Sequence, residues 1–304
     1  MKPLIAVTIS AFRSDEAVID TLRAIAARPS VDVAAVIVVD SLGSGAIQEA
    51  IAREGWDVRY ENASENLGSA GNLARRLELA AEVGCDWAFC LNHDAKWDPD
   101  ALEAQLELGR SRPRIGAVYP VLHHGPREKP WEDGRRTFSP FAKERLADRP
   151  QGSADNEVLW SSSNGALYAT APAHEGIRVM PELWMGYEDL AYGIALHHGG
   201  WMQLISRDAV LSEIFDYTEF EVFGVTGHRP DKPVWYPFYD LRNLLLIRRR
   251  YGGGGITYVT IVHKLIRSAS RIALVEDHRL RRMIHLLHGA YHGLRGRLGK
   301  GPVP

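Results

Sequence analysis

Short apolar runs alternate with segments of helical periodicity over the first 120 residues. Runs at 4–9, 33–39, 58–60, 87–91 and 115–119 predict five strands, because each is short and bounded by polar or turn residues. Between these runs, apolar residues recur at helical spacing. This order of strands and helices is typical of a parallel sheet with helices on both faces, so the sequence predicts an α/β fold.

Four helices are expected between these strands: after Ser14, through Ile47 and Ile51, from about Ser69 to Ala81, and after Asp98-Pro99. The last start is the clearest, because Asp is favoured at the N-cap and Pro at the first helical position. Parallel sheets of this kind bind ligands beyond the carboxyl ends of their strands. We therefore expect a binding site where the predicted strands end.

Beyond residue 121 the pattern becomes less regular. The stretch 123–163 is rich in Pro, Gly and charge and predicts loops, with a hairpin as an alternative. Three further elements are predicted: a strand at 166–169, a helix from Glu188 through His198, and a strand at 202–205. From Val234 onward the chain predicts basic helices, broken at 252–255. We divide the chain into an α/β domain over 1–240 and a helical extension over 241–304.

Charge is distributed unevenly along the chain. Residues 241–304 contain 13 Lys/Arg and 2 Asp/Glu, out of 36 and 38 in the whole chain. A basic segment on an acidic body predicts attraction to a polyanion, either an anionic membrane surface or nucleic acid. Apolar residues such as Ile261 and Leu265 mix with Lys264 and Arg267, which suits amphipathic helices lying on an anionic inner leaflet. Packing against the domain and a homodimer contact stay open.

Several classes of protein are disfavoured. No aromatic-basic recognition motif accompanies the charge, so we expect no nucleic-acid partner. A Walker loop, a Gly-x-Ser-x-Gly turn and a glycine-rich dinucleotide fingerprint are missing, which disfavours NTPases, hydrolases and NAD enzymes. No apolar run reaches 18 residues, and the two cysteines, Cys85 and Cys90, imply no disulfide framework. We expect a cytoplasmic chain, with peripheral contact to the inner face of the membrane.

Carboxylates at three places are candidates for chemistry. Asp40 and Asp94 follow predicted strands, where Asp94 could hold a divalent cation on the phosphates of a nucleotide and Asp40 could contact its base or ribose. Both are also ordinary turn residues. Glu188 and Asp189 stand at the start of a predicted helix. Their charges could simply stabilise the helix dipole, or one of them could act as a general base that faces a cleft.

The segment Asn66-Leu67-Gly68-Ser69-Ala70-Gly71-Asn72 is the fourth candidate. Asn66 can cap the following helix, and the small residues let that helix start close to another group. The segment is therefore expected either to shape a nucleotide pocket or to provide only close packing of helix on sheet.

Taken together, these segments resemble glycosyltransferase family 2, the inverting, nucleotide-sugar-dependent group with the GT-A fold. The similar segments, in the family's order, are Leu4–Ile9, Val36–Ser44, Glu65–Asn72, Leu91–Ala95 and Trp184–Tyr192. Trp235–Asn243 further resembles the aromatic, Arg-Asn helix start of the rhamnosyltransferase-like branch. The resemblance implies a nucleotide-binding half over 1–120 and an acceptor half over 121–240.

On the donor side, the resemblance implies that Asp40 contacts the nucleotide base and that Ser10 and Phe12 line its pocket. Asp94 would ligate Mg²⁺ or Mn²⁺ on the diphosphate, since a nucleoside diphosphate leaves easily only when its charge is neutralised. Asn66, Gly68, Asn72 and Asn92 would belong to the same pocket.

On the acceptor side, the resemblance implies that Asp189 is the general base and that Glu188 orients it or the acceptor. The acceptor would be a hydroxyl of a glycan or a lipid-linked molecule, and Asn164-Gly165-Ala166 would line the sugar side. A carboxylate is needed because a hydroxyl is a weak nucleophile until its proton is taken. The donor would be a UDP- or dTDP-sugar, and dTDP-rhamnose is one candidate.

Two departures from the family pattern concern the metal. Asn92 stands where many members have a first Asp, and Ser212-Glu213 occupy the region of a metal-associated His. They motivate a second hypothesis, a degenerate binding protein that keeps the pocket without turnover. A third, a sugar nucleotidyltransferase, is disfavoured because the loop after the first strand, residues 10–14, contains no glycine.

Overall fold

The computed structural model describes residues 4–30, 33–93, 95–124, 157–213, 217–222, 224–230, 232–251 and 258–301. Its strands, in chain order, are β1 (Ile5–Ala11), β2 (Val33–Ser41), β3 (Arg59–Ala63), β4 (Trp87–Leu91), β5 (Ile115–His124), β6 (Ala166–Ala169), β7 (Met202–Glu213), β8 (Tyr217–Val222) and β9 (Val225–Pro230). Its helices are α1 (Asp15–Ala27), α2 (Ala46–Glu54), α3 (Gly68–Glu82), α4 (Pro99–Arg110), α5 (Ala171–His174), α6 (Glu188–His198), α7 (Tyr236–Tyr251), α8 (Tyr258–Leu274) and α9 (Arg279–Leu294).

Seven strands form one sheet in the order β3-β2-β1-β4-β6-β5-β7. Strand β6 is antiparallel to β4 and β5, and the other neighbours are parallel. The chain winds outward from β1 to β3 and then returns to place β4 on the other side of β1. The predicted α/β architecture, a mostly parallel sheet with flanking helices and a helical C-terminal region, is confirmed.

Alternate residues of the inner strands pack on opposite faces of the sheet. In β1, Ile5, Val7 and Ile9 belong to one core cluster, whereas Ala6 belongs to another. The same alternation in β4 assigns Phe89 to the first cluster. Because both faces are covered, these strands are apolar along their length instead of alternating with polar residues.

Several elements differ from the sequence prediction. Strand β3 begins one residue later than predicted and continues to Ala63, because its polar residues pair with β2 through backbone bonds that an apolar run does not reveal. Strand β7 extends past residue 205 to Glu213, across a break in its register with β5. The β8–β9 hairpin was not predicted. Most of the predicted loop region, residues 125–156, lies outside the described residues.

The basic C-terminal helices pack on the α/β domain. Helix α7 is buried from Pro237 to Ile247, and Leu241 and Leu244 share a core cluster with Leu190 of α6. Helix α7 runs across the predicted boundary between residues 240 and 241. The division of the chain into two parts at that point stays a prediction. Among the described residues, no helix is long and apolar enough to cross a membrane.

Candidate active site

A cavity of about 460 Å³ lies beyond the carboxyl ends of β1, β2 and β4. This is the point where the strand order reverses, the usual ligand position in open α/β sheets. The residues that line it are Ser10, Ala11, Phe12, Arg13, Ser41, Leu42, Asn66, Gly68, Ser69, Asn72, Arg76, Asn92, His93, Ser163, Trp184, Met185, Glu188, Trp235 and Lys300. Seven of the residues singled out from the sequence are therefore brought together: Ser10, Phe12, Asn66, Gly68, Asn72, Asn92 and Glu188.

Helix α3 presents one stripe of residues to this cavity. Gly68, Asn72 and Arg76 recur at intervals of four, so they lie on the same helix face. The Asn72 amide donates to the carbonyl of Val39 at 2.9 Å, and the Arg76 guanidinium donates to the carbonyl of Leu91 at 3.0 Å. The stripe thus ties α3 to the ends of β2 and β4 while forming one side of the cavity.

Arg76 is a cavity residue that the sequence analysis missed. It is 2% exposed, and burial lowers the pKa of its guanidinium. Its four-residue spacing after Asn72 was the available signal. A second bond from the same nitrogen, Nη1, reaches the carbonyl of Thr8 at 3.4 Å, so the backbone of β1 and β4 holds Arg76 in place.

The segment from Leu183 to Gly186 forms the opposite wall. The backbone N–H of Ala70 donates to the Trp184 carbonyl at 3.1 Å, which joins this wall to the start of α3. A Cβ on Gly68 would lie 2.0 Å from that carbonyl oxygen, so only glycine permits the approach. Gly68 also has a φ of +66°.

Two adjacent residues of α7 hold this wall from behind. The Arg242 guanidinium donates to the carbonyl of Leu183 at 2.7 Å. The Asn243 amide donates to the carbonyls of Met185 and Gly186 at 2.8 and 2.7 Å. Burial lowers the pKa of Arg242 to about 10, so the side chain remains charged near neutral pH. The Arg-Asn pair noted in the sequence therefore positions the segment that leads into Glu188.

Glu188 is the acidic residue among the described residues that line the cavity. It is 7% exposed, and none of the described residues forms a hydrogen bond with its Oε2. Burial raises the pKa of Glu188, opposed by a hydrogen bond from Ser69 and by the charge of Arg76. A carboxylate in such a setting has enhanced basicity when ionised, which suits proton transfer.

Asp189 lies in a different position. Its Oδ1 accepts the backbone N–H of Leu190 at 2.8 Å, at the first turn of α6. The side chain is partly buried, and it does not line the cavity. The adjacent carboxylates therefore diverge, as successive residues of a helix must, and only Glu188 reaches the cavity surface.

The polar groups at the end of β4 already form some hydrogen bonds to other residues of the protein. The Ser10 hydroxyl donates to Oδ1 of Asn92 at 3.3 Å, and the backbone N–H of Asn92 donates to the Asn164 side chain at 2.9 Å. Asp94, the predicted metal ligand, lies outside the described residues. Within the described part of the chain, no three His, Cys, Asp or Glu side chains are grouped to hold a metal ion.

Asp40 lies beneath the loop that follows β2 instead of in the cavity lining. It is 1% exposed, and its Oδ2 accepts the Tyr60 hydroxyl at 2.9 Å. Burial raises the pKa of Asp40, while the bond from Tyr60 lowers it. Gly43 of that loop lies against the carboxylate of Asp40, while Ser41 and Leu42 line the cavity. The structure thus leaves Asp40 away from the cavity surface, and its contact with a base stays a prediction.

The fold and the place of the cavity define a GT-A glycosyltransferase architecture, and solved structures share it. Mannosyltransferase PcManGT from Pyrobaculum calidifontis, in complex with GDP-Man and Mn²⁺, matches with a TM-score of 0.57 at 14% identity, covering 97% of this chain and 88% of that chain. Residues 1–349 of S. aureus TarS match with a TM-score of 0.61 at 12% identity, covering 95% and 80%. At these identities the likeness is one of fold.

The family follows from the sequence itself. Glycosyl transferase family 2 matches residues 6–161, half of the chain, and the chain belongs to that family. It is therefore a glycosyltransferase. No curated protein matches the chain in sequence. The predicted family is confirmed, whereas the rhamnosyltransferase-like branch stays a prediction.

Proposed function

We propose that the cavity binds a nucleotide-diphosphate sugar and that the enzyme transfers the sugar to an acceptor hydroxyl with inversion, by a single displacement. The observation that carries this proposal is the buried carboxylate of Glu188 in a cavity at the strand-order reversal of a family 2 chain. The favoured donor is a UDP- or dTDP-sugar, and the resemblance of residues 235–243 points to dTDP-rhamnose. The acceptor is a hydroxyl of a glycan or a lipid-linked molecule.

In this reaction the acceptor oxygen forms a bond to the anomeric carbon while the bond to the diphosphate oxygen breaks. The leaving diphosphate keeps the electron pair, and the acceptor proton passes to a carboxylate. The sequence assigned that role to Asp189, with Glu188 orienting it or the acceptor. Because Glu188 lines the cavity, whereas Asp189 lies outside the lining and accepts the backbone N–H of Leu190, the geometry favours Glu188 as the base.

A divalent cation, Mg²⁺ or Mn²⁺, belongs to this proposal. The described residues at the end of β4 offer an amide and an imidazole, from Asn92 and His93, so the carboxylate ligand would be Asp94. One carboxylate suffices for Mg²⁺ when phosphate oxygens of a bound nucleotide complete its coordination. The cation would neutralise charge on the leaving diphosphate. The structure of PcManGT contains GDP-Man and Mn²⁺, which supports a metal without assigning one here.

Calorimetric titration with UDP, dTDP and GDP, each with and without Mn²⁺, tests the donor site. Metal-dependent binding of one diphosphate is expected, and Asp94→Ala should weaken it. Binding that is independent of Mn²⁺ would remove Asp94 as an essential ligand. Failure of all three to bind would contradict the proposed donor site, whereas binding of one of them without any turnover would favour the degenerate binding protein.

Two matched variants then separate the carboxylates. Glu188→Gln should lower turnover by about 10²–10⁴-fold, the usual contribution of a general base, while nucleotide binding is retained. Asp189→Asn should leave most of the turnover if Glu188 is the base. The reverse pattern would return the role to Asp189, and full turnover in both variants would exclude the pair.

We also propose that helices α8 and α9 contact an anionic membrane surface, where a lipid-linked acceptor would reside. Exposed apolar side chains are concentrated on this part of the described chain, and one row on α9 has helical spacing: Leu280, Ile284, Leu287, Tyr291, Leu294 and, just beyond the helix, Leu298. Arg281, Arg295 and Arg297 flank the row. In a second copy of this row the arginines would meet like charges, whereas anionic headgroups complement them.

Vesicle co-sedimentation tests this contact. Phosphatidylglycerol-containing vesicles should retain the protein and phosphatidylcholine vesicles should not, with binding reduced by salt. The double variant Ile284→Ser, Leu287→Ser should lose binding, whereas Val83→Ser, at an exposed position on the α/β domain, should not. If the wild type does not bind vesicles but forms a dimer in solution that the double variant dissociates, the partner of this surface is a second copy of the chain and not a membrane.

A further inference from the structure

A short strap, residues 299–301, crosses from the end of the basic helices to the rim of the cavity. The backbone N–H of Gly299 donates to the Glu182 carbonyl at 2.8 Å, and the Gly299 carbonyl accepts the Arg242 guanidinium at 2.5 Å. The backbone N–H of Gly301 donates to the Tyr239 hydroxyl at 2.9 Å. Both residues next to Lys300 are therefore fixed by hydrogen bonds.

The two glycines are needed for this path. Gly299 has a φ of +88°, and a Cβ on Gly301 would come within 2.2 Å of the Phe238 ring. The strap consequently lies directly against the first turn of α7. Lys300 is the residue of the strap that lines the cavity, together with Trp184 and Trp235. Its Nζ lies 5.9 Å from the Trp184 ring centroid.

Among the described residues, three cationic side chains line the cavity. They differ in how far their charged groups are already engaged by other parts of the protein. Arg76 is buried and donates to the carbonyls of Thr8 and Leu91. Arg13 lies by the Phe12 ring at the end of β1. Lys300 is exposed, and among the described residues no carboxylate forms an ion pair with it. It therefore keeps a flexible ammonium group available at the rim of the cavity, where Glu188 is the one acidic residue among the described lining residues.

We propose that Lys300 binds the diphosphate of the nucleotide and neutralises charge that develops on it as the sugar leaves. This inference rests on the proposed donor site and adds a ligand from a part of the chain that lies outside the family match over residues 6–161. A lysine acts on phosphate as a mobile point charge, which suits a group whose charge grows during reaction. The strap supplies the position, and the side chain supplies the charge.

The test compares Lys300→Met, which keeps length without charge, with Lys300→Arg, which keeps charge. The diphosphate probes are UDP, dTDP and GDP. The matching nucleoside (uridine, thymidine or guanosine) of whichever diphosphate binds reports binding without the phosphates. Lys300→Met should weaken diphosphate binding by about tenfold or more, as expected for a hydrogen bond to a charged group, and leave nucleoside binding unchanged. Lys300→Arg should retain most of the affinity. Arg297→Met, which removes a charge outside the cavity, is the control.

Gly301→Ala provides a second, independent variant. Its methyl group displaces the strap from Phe238 and should reproduce the loss seen with Lys300→Met, although the lysine is still present. Diphosphate affinity in Lys300→Met equal to that of the wild type would overturn the role of Lys300. An equal loss of nucleoside affinity would also overturn it, as would a lower acceptor affinity with unchanged diphosphate binding. A wild type that binds none of the diphosphates would overturn the proposed donor site itself.

Discussion

Gly68 sets the closest approach between α3 and the cavity wall, and its replacement by alanine tests that wall directly. A Cβ at this position would lie 2.0 Å from the Trp184 carbonyl oxygen, where 3.4 Å or more is ordinary contact. Something must move by more than 1 Å, and the obstacle is backbone. The bond from the Ala70 N–H to the same oxygen would be strained as well.

The magnitude follows from two contributions. A non-glycine residue at φ +66° costs about 1–2 kcal/mol. Forcing a methyl group against packed backbone costs a further ~1–3 kcal/mol. Gly68→Ala should therefore lower the free energy of unfolding by roughly 2–5 kcal/mol and weaken nucleotide binding, because both displaced segments line the cavity.

Two control variants on or beside the same helix separate these contributions in urea denaturation. Gly84→Ala has a φ of +75°, and no atom of the described residues lies within 4 Å of its Cβ, so this variant reports the conformational cost alone. Gly71→Ala lies inside α3, where its Cβ would lie 3.1 Å from the Cβ of Leu67, a tight contact that offsets the gain in helix propensity, so its effect should stay within ~1 kcal/mol of zero. A Gly68→Ala loss no larger than that of Gly84→Ala would refute the packing of the Trp184 carbonyl on α3.

Three further predictions concern buried polar groups. Asn243→Asp removes the donors to Met185 and Gly186 and should cost about 1–3 kcal/mol in thermal unfolding while lowering turnover. Tyr60→Phe should destabilise the protein by about 1–3 kcal/mol above the raised pKa of Asp40 and by less below it, where the carboxyl is protonated; a loss independent of pH would contradict this. Glu188→Gln should raise Tm at pH 8, because burial raises the pKa of Glu188 and disfavours its ionised form in the fold. That gain should vanish as pH falls below the unfolded-state pKa.

The features of the site that could be predicted from sequence are those that depend on a short stretch of neighbouring residues. Strand ends follow from apolar runs, so the approximate positions of Ser10 and Asn92 were available before the structure. The small residues around Gly68 indicated a close approach, which is now identified as that of the Trp184 carbonyl. What local pattern did not give was direction: Glu188 and Asp189 are neighbours in sequence, and only the packing of α6 decides which one faces the cavity.

The rest of the site depends on contacts between distant parts of the chain. Trp235 and Lys300 reach the cavity because α7 is buried and the strap binds Arg242 and Tyr239. No periodicity records those contacts. Asp40 shows the same dependence on distant contacts: this strand-end carboxylate is buried and accepts the Tyr60 hydroxyl, and its contact with a base stays a prediction.

The packing of α9 on α7 has a geometric consequence for a membrane-bound enzyme. A Cβ on Gly289 would come within 2.2 Å of the Phe238 carbonyl oxygen, and one on Gly293 within 2.7 Å of Leu245, so the two helices are in backbone contact. Asn243, on the same α7, holds the cavity wall. Because α9 packs directly on α7 and α7 binds that wall, a bilayer bound to the exposed row, as proposed above, would set the height of the cavity above the lipid surface. The enzyme would then favour acceptors whose hydroxyl group stands at that same height above the membrane.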